Sequence, residues 1–128
     1  MMRIDHVQLA FPPGGLEKVR AYFTDIWEME EDERPQSLNG REGTWFRKGH
    51  CIIHVGVDEN FTPQKKAHLA IIVDDIEAFA QKLTEHNCEV RWNESIDDVK
   101  RFFTDDPFGN RIEIIRDGDS NLQKFGLV

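Results

Sequence analysis

Glu113 stands between Ile112 and Ile114, just after the turn "DDPFGN" (105–110), and so places a carboxylate inside an isoleucine-rich strand. His6 and His68 sit at similar places in two strand-like runs, "RIDHVQLAF" (3–11) and "KAHLAIIVD" (66–74). Two further histidines, His50 and His54, lie in "HCIIHVGV" (50–57). Neutral imidazole and carboxylate together are ligands for Fe²⁺, Mn²⁺, Ni²⁺, Co²⁺ or Zn²⁺. Each residue alone has a plainer role. A lone strand histidine is usually exposed or hydrogen-bonded in a core, and a lone strand glutamate usually faces water. His86, in "LTEHN", fits a helix-end charge interaction or simple exposure. What draws His6, His68 and Glu113 toward a metal is their placement on matching faces of a repeated unit.

Those faces follow from strand alternation, which turns successive side chains to opposite sides of a sheet. In the first run Val7, Leu9 and Phe11 share one face, with His6 and Gln8 on the other. In 66–74, Leu69, Ile71 and Val73 oppose His68, Ala70 and Ile72. In 50–57, Cys51, Ile53, Val55 and Val57 oppose His50, Ile52 and His54. In "RIEIIR" (111–116), Ile112 and Ile114 oppose Arg111, Glu113 and Ile115. All four strands have one face fit to pack against helices and another that carries His or Glu among small or apolar groups. A merely solvated face would carry Lys, Glu, Thr and Ser throughout.

The elements that hold these strands repeat. After "PPGG" breaks the first strand, a helix fits "LEKVRAYFTDIW", with Leu16, Val19, Tyr22, Phe23 and Ile26 on one stripe. The acidic run "WEMEEDER" (27–34) has room for a further strand, and the polar turn "QSLNGREG" (36–43) leads to strands at 44–49 and 50–57. After "DENFTPQKK" the order starts again. A strand at 66–74 precedes the helix "DDIEAFAQKLTEHN", with Asp74 or Asp75 as N-cap and Ile76, Phe79, Ala80 and Leu83 on its stripe. Strands at 88–93, 99–104 and 111–116 follow, the last after a turn in which Gly109 and Asn110 tolerate positive φ. The chain therefore reads as an internal duplication of βαβββ units within one domain, 1–128. Module one covers about 3–58 and module two about 66–116. The tail 117–128 ends in an apolar "FGLV" fit to dock.

Composition sets the outer limits. With 128 residues the chain is long enough for one hydrophobic core. Sixteen basic residues against 24 acidic ones give a net charge of −8, which argues against nucleic acid or an anionic membrane as partner. No apolar run spans a membrane, and "MMRIDHVQLA" lacks the apolar core of a signal peptide. A cytoplasmic protein with reduced Cys51 and Cys88 is expected.

The segments "DHVQLAF", "HVGV", "KAHLAIIVDDIEAF" and "DPFGNRIEII" resemble the vicinal oxygen chelate superfamily, over roughly residues 3–116. That group includes glyoxalase I, fosfomycin-resistance thiol transferases, bleomycin-resistance proteins and extradiol dioxygenases. The resemblance implies an α+β fold of two βαβββ modules, each with a curled mixed sheet, forming a cavity. It implies a divalent metal (Fe, Mn, Ni, Co or Zn) held by His6, His68 and Glu113, the triad of the fosfomycin-resistance enzymes. Glyoxalase I adds a glutamate from the strand closing the first module. Counting back from Gly56-Val57 puts that position at His50, and a shifted register puts it at Ile52 or His54. His50 and His54 are thus candidates for a fourth ligand or a proton-transfer group, and Glu113 itself could move the proton. No glutathione-binding set and no potassium-binding loop stands out. Trp45 and Phe103 are candidate aromatic walls for a substrate, and Arg101 a candidate partner for an anionic substrate group. The implied function is that of a metal-dependent lyase, isomerase or transferase acting on a small oxygenated substrate. The rival is a metal-free protein that sequesters a drug or metabolite, with Glu113 paired to Arg111 or Arg101. Chains of this family commonly pair, so a homodimer is expected, with open sheet edges and the apolar tail end as the physical motive.

Overall fold

The computed structural model describes residues 1–34 and 40–127. Residues 36–39 of the expected polar turn, and the final Val128, lie outside them. The chain divides into two compact units, Met1–Pro63 and Gln64–Val128.

The first unit begins with β1 (Val7–Phe11), α1 (Leu16–Ala21) and a π-helical turn (Tyr22–Ile26), followed by β2 (Glu30–Asp32), β3 (Gly43–Lys48) and β4 (Cys51–Val57). Its sheet runs β1-β4-β3-β2, with β1 parallel to β4 and the other neighbours antiparallel. The alternation read from sequence decides what is buried: Phe11, Phe46, Ile53 and Val55 pack into the core with Val19, Phe23 and Ile26 of the helical segment. The expected helix over 16–27 changes pitch at Tyr22, and Trp27 N–H reaches back to the Tyr22 carbonyl at 3.4 Å. The wider turn lets Tyr22, Phe23, Ile26 and Trp27 all lie in the core.

The acidic run does contain a strand. Glu31 of β2 turns toward the core side, opposite Phe46. It accepts from Arg20 Nε at 2.9 Å and from Thr44 Oγ1 at 2.6 Å. Burial alone would push its carboxyl up, but those two partners outweigh burial and hold it below the usual range. Its neighbours Glu30 and Asp32 meet Arg47 across the strand pair.

The second unit repeats the order: β5 (Leu69–Val73), α2 (Ile76–Glu85), β6 (Arg91–Trp92), β7 (Arg101–Asp105) and β8 (Arg111–Arg116), then a short α3 (Asn121–Lys124). The sheet runs β5-β8-β7-β6, again with its first and last strands parallel. Asp75 caps α2, accepting from Ala78 N–H at 3.0 Å. Ile76, Ala80 and Leu83 bury beside Phe102, Ile112 and Ile114 in the core. The fold is thus α+β, with two four-stranded mixed sheets and a βαβββ order in each half.

Several boundaries differ from the sequence reading, each for a local reason. β1 and β5 begin at Val7 and Leu69, where pairing with β4 and β8 begins, so His6 and His68 both stand one residue before their strands. β6 is only two residues long. Cys88 N–H is held by the Leu83 carbonyl at the helix exit, and the Asn93 side chain accepts from Ser95 N–H and Oγ. In the turn before β8 only Gly109 takes positive φ (91°). Asn110 is there for its side chain, as described below. The tail carries α3, capped by Ser120, but Phe125 and Leu127 stay exposed rather than docking on this chain. Cys51 and Cys88 are free thiols, pushed up by burial. No described helix is long and apolar enough to cross a membrane.

Candidate functional site

In the second unit, the local turn 105–110 does the positioning. Asp106 accepts from Phe108 N–H, Asn110 N–H and Asn110 Nδ2 at 2.7–2.9 Å. Burial pushes the Asp106 carboxyl up, partly offset by those donors. Asn110 Oδ1 in turn accepts from Gln64 N–H at 3.1 Å, and Arg111 N–H donates to the Gln64 carbonyl at 2.8 Å. The segment leading into β5 is thereby tied to the start of β8. Lys66, in that segment, offers its carbonyl to His68 Nδ1 at 2.8 Å.

That bond fixes the imidazole. Nδ1 carries a hydrogen, so in the neutral ring Nε2 presents a lone pair. Nε2 lies 3.0 Å from Glu113 Oε1. Glu113 is buried despite its charge, and its other oxygen accepts from Arg101 Nη1 at 3.0 Å. Two lone pairs at 3.0 Å attract only when a cation lies between them, either a proton on Nε2 or a metal ion. An ion with both donors at right angles and about 2.1 Å away would set them about 3.0 Å apart. His68 and Glu113 therefore fit two adjacent positions on such an ion.

The remaining candidates in this unit surround Phe103, which is opposite Glu113 in the β7–β8 register. Its ring meets the Arg111 guanidinium at 3.9 Å, that of Arg101 at 5.2 Å, and the edge of His68 at 5.6 Å. It is buried, so it supports these groups from below rather than standing open as a wall. Arg101 is held by Asn93 Oδ1 at 3.1 Å and Ser95 Oγ at 3.0 Å as well as by Glu113.

In the first unit, His6, His54 and Trp45 form a column of rings. His54 is in the middle, 4.0 Å from the His6 centroid and 4.1 Å from Trp45, with interplanar angles of 20° and 5°. His6 Nδ1 meets Asp5 Oδ2 at 2.7 Å. Burial, and then the neighbouring His6, push the His54 imidazole below its ordinary value. Imidazole lone pairs lie in the ring plane, so stacked rings aim them side by side rather than at one point. His50 lies in the exposed turn between β3 and β4.

Register relates the two halves residue by residue. His54 pairs with Gln8 of β1 and Trp45 of β3, while Glu113 pairs with Ala70 of β5 and Phe103 of β7. His54 is therefore the first-unit counterpart of Glu113, Trp45 of Phe103, and His6 of His68. Of His50, Ile52 and His54, it is His54 whose register matches that of Glu113. Among the described residues, no group of three or more His, Cys, Asp or Glu side chains could hold a metal ion. The structure brings together His68, Glu113, Arg101 and Phe103 in one unit, and His6, His54 and Trp45 in the other. Sequence reasoning missed Asp106 and Asn110 as positioning residues, although Asp and Asn four apart around a Pro and a Gly are a recognisable side-chain-bonded turn.

Comparison with known proteins bears on both halves. The model of the Glyoxalase/Bleomycin resistance protein/Dioxygenase superfamily matches residues 3–114. A putative glyoxalase family protein from Bacillus anthracis is 44% identical, covering 91% of this chain and 95% of that one, with a TM-score of 0.85. The fosfomycin resistance protein FosX from Listeria monocytogenes is 12% identical over 100% of this chain and 99% of that one, with a TM-score of 0.79. A mutant of the same FosX, complexed with Mn(II) and 1S,2S-dihydroxypropylphosphonic acid, is 12% identical over 98% of both chains, with a TM-score of 0.80. At that identity the FosX likeness concerns the fold alone. No curated protein matches.

Proposed function

Because the chain belongs to the glyoxalase, bleomycin resistance protein and dioxygenase superfamily, we propose that it is a divalent-metal-dependent lyase, isomerase or transferase acting on a small oxygenated substrate. The observation that carries this reading is the 3.0 Å approach of His68 Nε2 to Glu113 Oε1, with Nδ1 already committed to the Lys66 carbonyl. His68 and Glu113 would hold the ion; His6, the further ligand that the family resemblance implies, is tested by substitution below. The ion, when bound, would polarise a substrate oxygen and stabilise negative charge on it. Around it, Arg101 anchors the far oxygen of Glu113, so that one oxygen stays aimed at His68. The Lys66 carbonyl keeps the His68 ring from rotating. Glu113 is also a group on this face able to take a proton from a substrate carbon or hydroxyl. The family chemistry fits a small molecule and a homodimer; the exposed Trp92, Ile96, Leu122, Phe125 and Leu127 give a second chain apolar surface to cover. Light scattering of a concentrated sample checks the dimer, and a monomer there ends that part of the proposal.

A second reading rests on one observation. Glu113 already has an arginine and a histidine as partners, which suits a metal-free protein that binds or sequesters a small molecule. One experiment separates the two. Metal content is measured on protein purified without a chelating tag, together with thermal unfolding in EDTA and with added Mn²⁺, Ni²⁺ or Zn²⁺. Native-state binding raises the melting temperature by mass action. The metal reading expects a rise that is lost in His68→Ala and Glu113→Gln and reduced in His6→Ala. No rise with any ion, or a rise unchanged in all three variants, selects the metal-free reading.

A further inference from the structure

The face of the second sheet that bears Glu113 carries three arginines and two carboxylates, in a chain whose net charge is −8. The arginines are Arg91, Arg101 and Arg111; the carboxylates are Asp105 and Glu113. Arg91 holds Asp105 through two bonds, at 3.0 and 3.1 Å. Arg101 holds Glu113, and its other hydrogen bonds go to Asn93 and Ser95. Both carboxylates are thus matched, and Arg111 is the cation left over. Among the described residues the only hydrogen bond of its side chain is a long one, 3.4 Å from Nη1 to the Lys65 carbonyl. Yet its guanidinium is not loose. It lies 3.9 Å over the buried Phe103 ring, which braces it, and its other N–H donors have no hydrogen bond among the described residues.

Its location is as telling as its lack of a counter-ion. Arg111 and Glu113 are two apart on β8, so they share a face about 6–7 Å apart along the strand. Extending the parallel β5–β8 register one step back sets His68 beside Arg111. In the first unit the same step sets His6 beside Ile52. The duplicated position is apolar in one half and cationic in the other, so the fold itself does not require an arginine there.

We propose that Arg111, braced on Phe103, binds an anionic oxygen group of the substrate, a carboxylate or a phosphate-like group, next to the His68–Glu113 pair. The guanidinium fork suits such a planar or tetrahedral oxyanion through charge-assisted bonds. Arg101, the arginine that the sequence alone suggested for this task, is instead engaged with Glu113. The inference deepens the reading of this site as a small-molecule site, but it does not depend on a metal.

The test is therefore run in EDTA. Inorganic phosphate and acetate are titrated at constant ionic strength, with acetamide as the neutral control, while the arginine Nε–H signals and backbone amides are followed by NMR. The expected result is saturable perturbation of the Arg111 side chain and of the amides of Phe103, Arg111 and Glu113 by at least one anion, with no saturable response to acetamide. Arg111→Gln should weaken binding roughly tenfold or more. Arg111→Lys, which keeps charge and stem, should bind more weakly than the native chain but better than Arg111→Gln. Equal response to acetamide, perturbation centred elsewhere, or unchanged affinity in a folded Arg111→Gln overturns the proposal. Should the glutamine variant fail to fold, the lysine variant decides alone: affinity equal to the native chain would mean that the fork is not what binds. Because no ion is present, a negative result counts against the anion site and leaves the metal measurements standing.

Discussion

Replacing Arg101 by Met tests whether Glu113 is held as a buried charge. The guanidinium and the carboxylate are 3.0 Å apart, with side chains only 13% and 11% exposed. Removing one partner of such a pair leaves the other desolvated and unmatched, at a cost of about 3–5 kcal/mol. The lower end applies here, because His68 still touches the other Glu113 oxygen. The bonds to Asn93 and Ser95 lie nearer solvent and add little. Arg101→Met should therefore cost about 3 kcal/mol, near a 10 °C fall in melting temperature for a chain of this size. In a Glu113→Gln background the same change should cost only about 1 kcal/mol, since no buried charge is left behind. Urea unfolding of the four chains closes the double-mutant cycle, with an expected coupling of about 2 kcal/mol. A coupling below about 0.5 kcal/mol would mean that Glu113 does not depend on Arg101, and the account of this site as a braced carboxylate would fail.

Other expectations follow from the same geometry. Asp106→Ala strips partners from three donors, so a loss of about 3 kcal/mol or more is expected by urea unfolding; a loss under about 1 kcal/mol would contradict the clamp. The native Asp106 carboxyl, pushed up by burial, should titrate above 3.8 in a carboxyl NMR titration. Its contribution to stability is then present below that value and is lost as pH rises through the native one; a midpoint at or below 3.8 would be the wrong sign. Gly43→Ala should destabilise by about 2 kcal/mol or more, because its Cβ would lie 2.5 Å from the Val55 carbonyl oxygen of the backbone. Gly56→Ala should cost less, because its clash at 2.6 Å is with the tip of the Gln8 side chain, which can move; equal losses by thermal unfolding would refute the distinction.

Much of this could be read before any coordinates. The clean rows Cys51, Ile53, Val55, Val57 and Ile112, Ile114 fixed the buried faces, and so left His54 and Glu113 on the opposite ones. What stayed hidden depends on pairing between distant segments. Alternation says which face His50, Ile52 and His54 occupy, but a two-residue slip preserves it, so only the β1–β4 register singles out His54. The acidic run 27–34 left room for a strand but did not place it at Glu30–Asp32, because what steadies Glu31 comes from Arg20 and Thr44, well apart in sequence. The different duties of Arg101 and Arg111 were equally invisible. Both alternate onto the same face, and only the side-chain geometry tells the one bound to a carboxylate from the one lying on a ring.

In both units the first strand is laid beside the last, not beside its successor. As the polypeptide leaves the ribosome, β1 must therefore wait for Cys51–Val57, and β5 for Arg111–Arg116, before gaining any ladder bond. The β3–β4 and β7–β8 hairpins can close early over short loops, whereas β1 and β5 join only after a long stretch has been gathered in. The margin of each sheet, which His6 or His68 directly precedes, is thus the last piece assembled. Its amides should be among the earliest to trade their hydrogens for deuterium.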